Sequence, residues 1–267
     1  KPAFMQEIAR WYKGEDGLPH LKGSRRSTGQ QNPSRGIHGS DLNSWVRQYQ
    51  QGVLALDESV GKLIKTLKET GQYDNTLILF TADQGFAWGQ HGFQHKVAPY
   101  DANIASPFIV SYQGVAPSGK VCSTAVGGHD VVPTIFHYAG IDLPWKMHGR
   151  DLSPLIQYPE DKSDHPVLLA FTGRTYGSDT RNMVKGPDPH ADVPWWISYR
   201  LPNHKYIMNL VEGEIEELYN LKNDPDELVN LALDPAFYET LSQMRSAAIE
   251  ELKRTDCPFV DQLPVKL

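Results

Sequence analysis

The stretch Thr76-Leu77-Ile78-Leu79-Phe80-Thr81-Ala82 most restricts what this chain can become, because it is apolar or β-branched throughout and stops at Asp83-Gln84-Gly85. A short run of this kind, closed by turn residues, reads as a strand buried on both faces, which belongs in an α/β sheet. Open α/β sheets collect ligands beyond the carboxyl ends of such strands. Asp83 and Gln84 therefore stand where a site would form. They offer only hard oxygen donors, which suit Ca²⁺ or Mg²⁺ better than zinc. The competing reading is ordinary turn chemistry, since Asp and Gly often follow a strand with no further role.

The flanking patterns agree with an α/β sheet. Val46, Tyr49, Val53, Leu56, Val60, Leu63 and Leu67 recur every three or four residues. That spacing predicts an amphipathic helix from about Leu42 to Thr70, stopped by Gly71. A second strand is expected over Phe108 to Tyr112, and Asp130 should open another helix with Pro133 in its first turn. Residues 1–160 thus read as an α/β domain with a mostly parallel sheet sandwiched by helices. Beyond residue 160 the pattern shortens, with candidate strands at Val167–Phe171, Trp195–Arg200, Lys205–Val211 and Glu216–Tyr219. Glu212-Gly213-Glu214 reads as a turn, and a closing helix runs from Ala236 to about Arg254. Residues 161–267 are therefore expected to form a smaller α+β subdomain, an antiparallel sheet with a packed helix.

Composition narrows the function. With 267 residues the chain can bury a sizeable core. A net charge of −6 leaves no basic stripe to neutralise phosphates, which argues against a nucleic-acid partner. Lys22, Arg25 and Arg26 form a small basic cluster that reads as a solvated loop. No run of 18 apolar residues is present, so no membrane-spanning helix is expected. Cys122 and Cys257 give no metal-binding spacing. Residues 23–40, rich in Gly, Ser and Pro, read as an exposed loop.

Twelve residues after Gln84 comes Lys96, inside Gly89-Gln90-His91-Gly92-Phe93-Gln94-His95-Lys96, so a cation and two imidazoles share one loop. From Asp74 to Gly114 the chain resembles the sulfatase family of the alkaline phosphatase superfamily: Thr81-Ala82-Asp83-Gln84-Gly85, Gly89-Gln90-His91-Gly92, Lys96, Tyr100 and Ser106-Pro107-Phe108-Ile109-Val110 follow in the family's order. Further stretches are similar to that family. These are Gly52 to Leu63, Gly128-His129-Asp130 through Gly140, His204-Lys205-Tyr206-Ile207, and Glu217-Leu218-Tyr219-Asn220-Leu221-Lys222-Asn223-Asp224-Pro225-Asp226-Glu227.

The resemblance implies an alkaline phosphatase-like fold and hydrolysis of a sulfate ester, on a small molecule or a glycan and most naturally on a carbohydrate. It implies that Asp83 and Gln84 ligate Ca²⁺, or Mg²⁺ in its place, that Lys96 holds a sulfate oxygen, and that His91 and His95 border the substrate. Gln84 departs from the Asn or His more usual after that Asp, and Gln90 occupies a position that is acidic in carbohydrate sulfatases. The family's nucleophile is a formylglycine made from a Cys or Ser in a Cys/Ser-x-Pro-x-Arg motif, and no such motif is present. Cys122-Ser123-Thr124-Ala125 and Cys257-Pro258-Phe259-Val260 lack the Pro and Arg, and Gln31-Asn32-Pro33-Ser34-Arg35 has Gln at the nucleophile position.

The expectation is a carboxyl-terminal portion of a longer sulfatase, periplasmic or secreted, inactive without its amino-terminal part. Phosphate or phosphonate ester hydrolysis is the alternative within the superfamily. A catalytically dead module that binds sulfated glycans is the alternative outside enzymes. His129 and His137 read as structural, and neither His20 nor His38 has a context for proton donation. Arg174, Arg181, Lys185 and His190 lie in a loop from 172 to 194 that either reaches a sugar or faces water.

Overall fold

A computed structural model describes residues 11–15, 17–21, 42–161, 163–173, 175, 179–180, 193–211, 213–258 and 260–264. Strands β1 (Trp11–Lys13) and β2 (Pro19–Leu21) pair as an antiparallel hairpin. Helix α1 (Leu42–Glu69) follows as the apolar period predicts, and Gly71 takes a left-handed φ of 68° just past its end. Trp45 is its one buried residue. Val53, Leu54, Leu56 and Leu63 meet solvent, so its apolar stripe is uncovered among the described residues.

Strand β3 (Ile78–Thr81) carries the chain to Asp83, but among the described residues it is half-buried with Thr81 exposed, not buried on both faces as its apolar run suggests, because β6 is its one partner there. Then come β4 (Ala87–Trp88), β5 (Gln94–His95), the one-turn helix α2 (Asp101–Ile104) and β6 (Phe108–Ser111). Strands β4 and β5 form a short antiparallel ribbon. β3 and β6 are also antiparallel, with Thr81 opposite Phe108. The cause lies in their connection. A parallel partner requires a long crossover, generally a helix, to return the chain to the starting end of the sheet. Here the longest helix between the two strands is the single turn of α2, so the chain re-enters at the end where β3 finished. A 3₁₀ turn at Gly128–Asp130 then leads into α3 (Val131–Ala139), closed by Gly140 at φ 66°, and α4 (Ser153–Gln157) follows.

The second sheet holds β7 (Val167–Phe171), β8 (Trp196–Arg200), β9 (His204–Asn209) and β10 (Glu217–Asn220) in the order β10-β9-β8-β7, every pair antiparallel. Helix α5 (Tyr238–Arg254) covers one face. Successive side chains of a strand point to opposite faces. Ile197, Tyr199, Tyr206 and Leu218 therefore pack with Leu241, Met244, Ala248 and Leu252 of α5, while Trp196, Ile207 and Tyr219 pack with Ala87, Phe93, Ala98 and Tyr100 of the β4–α2 segment. Both faces are buried. The turn expected at 212–214 lies between β9 and β10, with Gly213 at φ 81° and Glu212 outside the described residues.

Burial on the second face includes charge. Lys205, fully buried, places its ammonium 2.9 Å from Asp101 Oδ1 and 2.7 Å from Glu227 Oε1. Arg200 pairs with the other Asp101 oxygen, and the Asp101 backbone N–H donates to Glu227 Oε2 at 2.6 Å. Burial works against ionisation of Asp101, but Lys205 and Arg200 hold its carboxyl below the usual range. Burial pushes Glu227 the other way despite Lys205. A second polar junction ties α3 to α5. Asp130, fully buried, accepts from the backbone N–H groups of Gly127 and Arg150, each at 2.8 Å, and faces His165 Nε2 at 3.1 Å. Arg150 then reaches both oxygens of Glu251 at 2.9 and 3.0 Å.

Removing one partner of a buried ionic cluster leaves uncompensated charge, which typically costs about 3–5 kcal/mol. Lys205→Met should therefore lower the urea midpoint by a corresponding amount, and an unchanged midpoint would show that the cluster does not hold the sheet to the β4–α2 segment. For Asp130, burial opposes the charge, while His165 and the two N–H donors hold the carboxyl below its ordinary 3.8. Its stabilisation is then complete above the ordinary value and drains away as pH falls through the folded one. An acid titration of stability should be shallower in Asp130→Asn than in the parent over that range, and parallel curves would exclude Asp130 as a contributor.

Candidate functional site

Asp83 and Gln84 emerge directly from the carboxyl end of β3 and stand on the wall of a cavity of about 1200 Å³, shared with Val97, Asp101, Trp196 and Arg200. Gln84 Nε2 lies 3.4 Å from Asp83 Oδ2, so the two side chains are immediate neighbours. Gly85 is what lets the chain pass here, because a Cβ on it would sit 2.6 Å from the Ala105 carbonyl oxygen and 2.8 Å from the Ile104 nitrogen. A carboxylate and a carboxamide on one cavity wall fit part of the shell of a hard divalent cation. Ca²⁺ takes about six to eight oxygens, and the described residues contain no group of three or more His, Cys, Asp or Glu that could hold a metal. The remaining oxygens would have to come from water or from other residues.

Lys96 is exposed and follows β5. The next residue, Val97, adopts φ 82°. For a β-branched side chain this region is an outlier that costs about 1–3 kcal/mol and persists only where surrounding structure enforces it. The enforcing contacts come from the second sheet. Trp196 Nε1 donates to the Val97 carbonyl at 2.8 Å, Ala98 and Tyr100 are fully buried, and Asp101 is gripped by Lys205, Arg200 and Glu227.

His91 sits in the turn between β4 and β5 at φ 55°. Its ring stacks on Tyr100 with centroids 4.3 Å apart and planes inclined by 23°. Gln90, in the position that is acidic in carbohydrate sulfatases, accepts from the Trp88 backbone N–H at 2.6 Å. The His95 backbone pairs with Ala87, and its side chain lies outside the described residues. The structure thus brings Asp83 and Gln84 together and places Val97, the neighbour of Lys96, among the residues that line the same cavity; Lys96 and His91 are not among the described lining residues. His129 lies 3.5 Å from Asp130 and is held below the ordinary imidazole range chiefly by burial. His137 lies 3.1 Å from Asp151, and His20 is in β2. Lys22, Arg25, Arg26, residues 31–35, His38, Arg174, Arg181, Lys185 and His190 lie outside the described residues.

Two groups behind the site escaped sequence reasoning. One is the Asp101, Arg200, Lys205 and Glu227 cluster. The other is Glu217, fully buried, which accepts from Asn209 Nδ2 at 2.7 Å, from the Tyr100 hydroxyl at 3.0 Å and from the Tyr219 hydroxyl. Desolvation, followed by the Glu217 charge, raises the Tyr100 hydroxyl well above its ordinary range, so it stays a proton donor. The available signal was the period-two placement of Lys205, Ile207 and Asn209, which by hydropathy alone reads as a solvent face.

Against known proteins, residues 15–141 match the Sulfatase family and residues 89–255 match the family described as N-sulphoglucosamine sulphohydrolase, C-terminal. An N-acetylglucosamine-6-O-sulfatase of Bacteroides thetaiotaomicron is 28% identical over 229 residues, which cover 86% of this chain and 36% of that protein. A choline-sulfatase of Rhizobium meliloti is 31% identical over 193 residues, covering 71% and 33%. The solved structure of BT4656 in complex with its substrate D-glucosamine-2-N,6-O-disulfate superposes with a TM-score of 0.68 at 25% identity, over 84% of this chain and 44% of that one. The chain therefore spans between a third and somewhat under half of the length of these relatives. The fold is the alkaline phosphatase-like fold of its structural neighbours, carrying the small carboxyl-terminal antiparallel sheet with its packed helix. The second match alone covers more than half of the 267 residues, and with the first it extends over residues 15–255, so the chain belongs to the family described as N-sulphoglucosamine sulphohydrolase, C-terminal, and with it to the sulfatases of the alkaline phosphatase superfamily.

Proposed function

We propose that the protein of which this chain forms part hydrolyses sulfate esters on a carbohydrate, with residues 1–160 as the carboxyl-terminal part of its catalytic α/β domain and 161–267 as a smaller subdomain. The observation that carries this reading is the pair Asp83 and Gln84 at the tip of β3 on a cavity wall, one loop away from Lys96, in a member of the sulfatase family. The names of two relatives, which act on or bind sulfated glucosamines, support a sugar as the substrate.

A sulfate ester carries negative charge on its nonbridging oxygens, and more develops on the bridging oxygen as the sulfur–oxygen bond breaks. Fixed positive charge aimed at these atoms lowers the barrier. Lys96 supplies one such charge and holds a sulfate oxygen. Asp83 and Gln84 would hold Ca²⁺, with Mg²⁺ the alternative, and such an ion would supply positive charge beside the group being transferred. His91, its ring fixed by the stack on Tyr100, borders the leaving sugar together with His95. Neither Cys122 nor Cys257 has the Pro and Arg that formylglycine formation requires, so neither is the nucleophile. On this reading residues 1–267 alone turn over no ester.

The complete protein, assayed on N-acetylglucosamine-6-sulfate, an aryl sulfate and matched phosphate and phosphonate esters, tests the assignment. Sulfate esters should react fastest; faster phosphonate hydrolysis would transfer the chain to the other branch of the superfamily. Losing a group that stabilises transition-state charge costs on the order of 10² to 10³ in kcat, and Lys96→Ala and Asp83→Ala should each fall in that range. Full turnover in both variants would remove these residues from the site. Chelation should abolish activity, and Ca²⁺ should restore it better than Mg²⁺; activity that survives complete chelation would end the metal assignment.

A further inference from the structure

We propose that Trp196 is a positioning residue for Lys96. It acts by clamping the backbone of the loop that carries that lysine. The inference rests on the reading of Lys96 as the cation that holds the sulfate group.

Val97 is held at φ 82°, a conformation that a β-branched residue leaves unless something opposes the change. The contact made directly to Val97 is a hydrogen bond from Trp196 Nε1 to its carbonyl, 2.8 Å long. Trp196 is itself 4% exposed, with its ring stacked on Phe171. It therefore cannot follow a moving loop. Four residues beyond Val97 the chain is fixed again, because the buried ammonium of Lys205 and the guanidinium of Arg200 take the two oxygens of Asp101, and Glu227 takes its backbone N–H. Between these anchors Ala98 and Tyr100 are buried. The chain thus leaves β5 at Lys96, passes a strained residue and is tied down just beyond Lys96, at Val97 and at Asp101, by one face of the second sheet. Loss of the indole N–H would let Val97 relax toward negative φ, and because Lys96 is bonded directly to it, the course of the Lys96 side chain would change.

Two substitutions separate a clamp from a simple core residue. Trp196→Phe keeps an aromatic ring in the core and deletes the donor. Val97→Gly makes the left-handed conformation accessible without strain, since glycine populates it freely. In the complete protein, Trp196→Phe should lower kcat on a sulfated sugar by about tenfold or more with KM nearly unchanged, as expected when a reacting group is misplaced rather than removed. Adding Val97→Gly should restore a large part of the loss. On a Lys96→Ala background, Trp196→Phe should cost almost nothing further. Hydrogen exchange of the amides from Lys96 to Asp101 should be faster in Trp196→Phe and unchanged in Lys96→Ala.

An equal loss from Trp196→Phe with and without Lys96 overturns the proposal, as does unaltered exchange across 96–101. If Lys96→Ala retains full turnover while Trp196→Phe still accelerates exchange, the sulfate-holding role of Lys96 is what fails and Trp196 is a structural clamp only.

Discussion

The ammonium of Lys205 is the point on which the arrangement turns. It lies in a core with no exposed surface of its own, and a charge so placed is tolerated only when paired and hydrogen-bonded. Its partners come from far apart in the chain, Asp101 from the start of α2 and Glu227 from the loop after β10. Because the two carboxylates are held by one cation, the segment bearing the candidate site cannot separate from the second sheet without stranding charge in an apolar interior. The antiparallel sheet, which has no part in the proposed chemistry, thereby acts as the bed on which the site is laid.

That role explains why the sheet is buried on both faces while its strands do not read as continuous apolar runs. One face is ordinary, with Ile197, Tyr199, Tyr206 and Leu218 against α5. The other mixes Trp196, Ile207 and Tyr219 with Arg200, Lys205, Asn209 and Glu217. Arg200, Lys205, Asn209 and Glu217 each make at least one hydrogen bond or ion pair there, although Arg200 Nε and Asn209 Oδ1 make none among the described residues. Such directional contacts fix orientation more strictly than apolar packing does, and orientation is what a group that must meet a sulfate oxygen requires.

Much of this was legible in the residues alone. The apolar run into Asp83, the helical period before it, the turn near Gly213 and the closing helix all followed from local pattern, because each is decided by neighbours within a few positions. The direction of pairing was not. Whether Phe108–Ser111 lies parallel or antiparallel to β3 depends on the path of the intervening chain, and no residue in either strand encodes it. The ionic cluster was equally hidden, since Asp101 and Glu227 are 126 positions apart and Lys205 alternates with apolar neighbours just as a solvent-facing residue would. At the site, residue types announced Asp83, Gln84 and Lys96, but a left-handed Val97 gave no sign, because β-branched residues such as valine rarely take that conformation.

Helix α1 and the second sheet owe their order to different sources. The sheet is locked by nonlocal contacts on both sides, whereas among the described residues little beyond Trp45 of the 28-residue helix is buried and Leu54, Leu56 and Leu63 are exposed. A helix so lightly tethered draws mainly on its own backbone hydrogen bonds, which leave a peptide helix only marginally stable. On warming residues 1–267 by themselves, ellipticity from that segment should therefore fade gradually at temperatures where the indoles of the sheet still report a fixed environment.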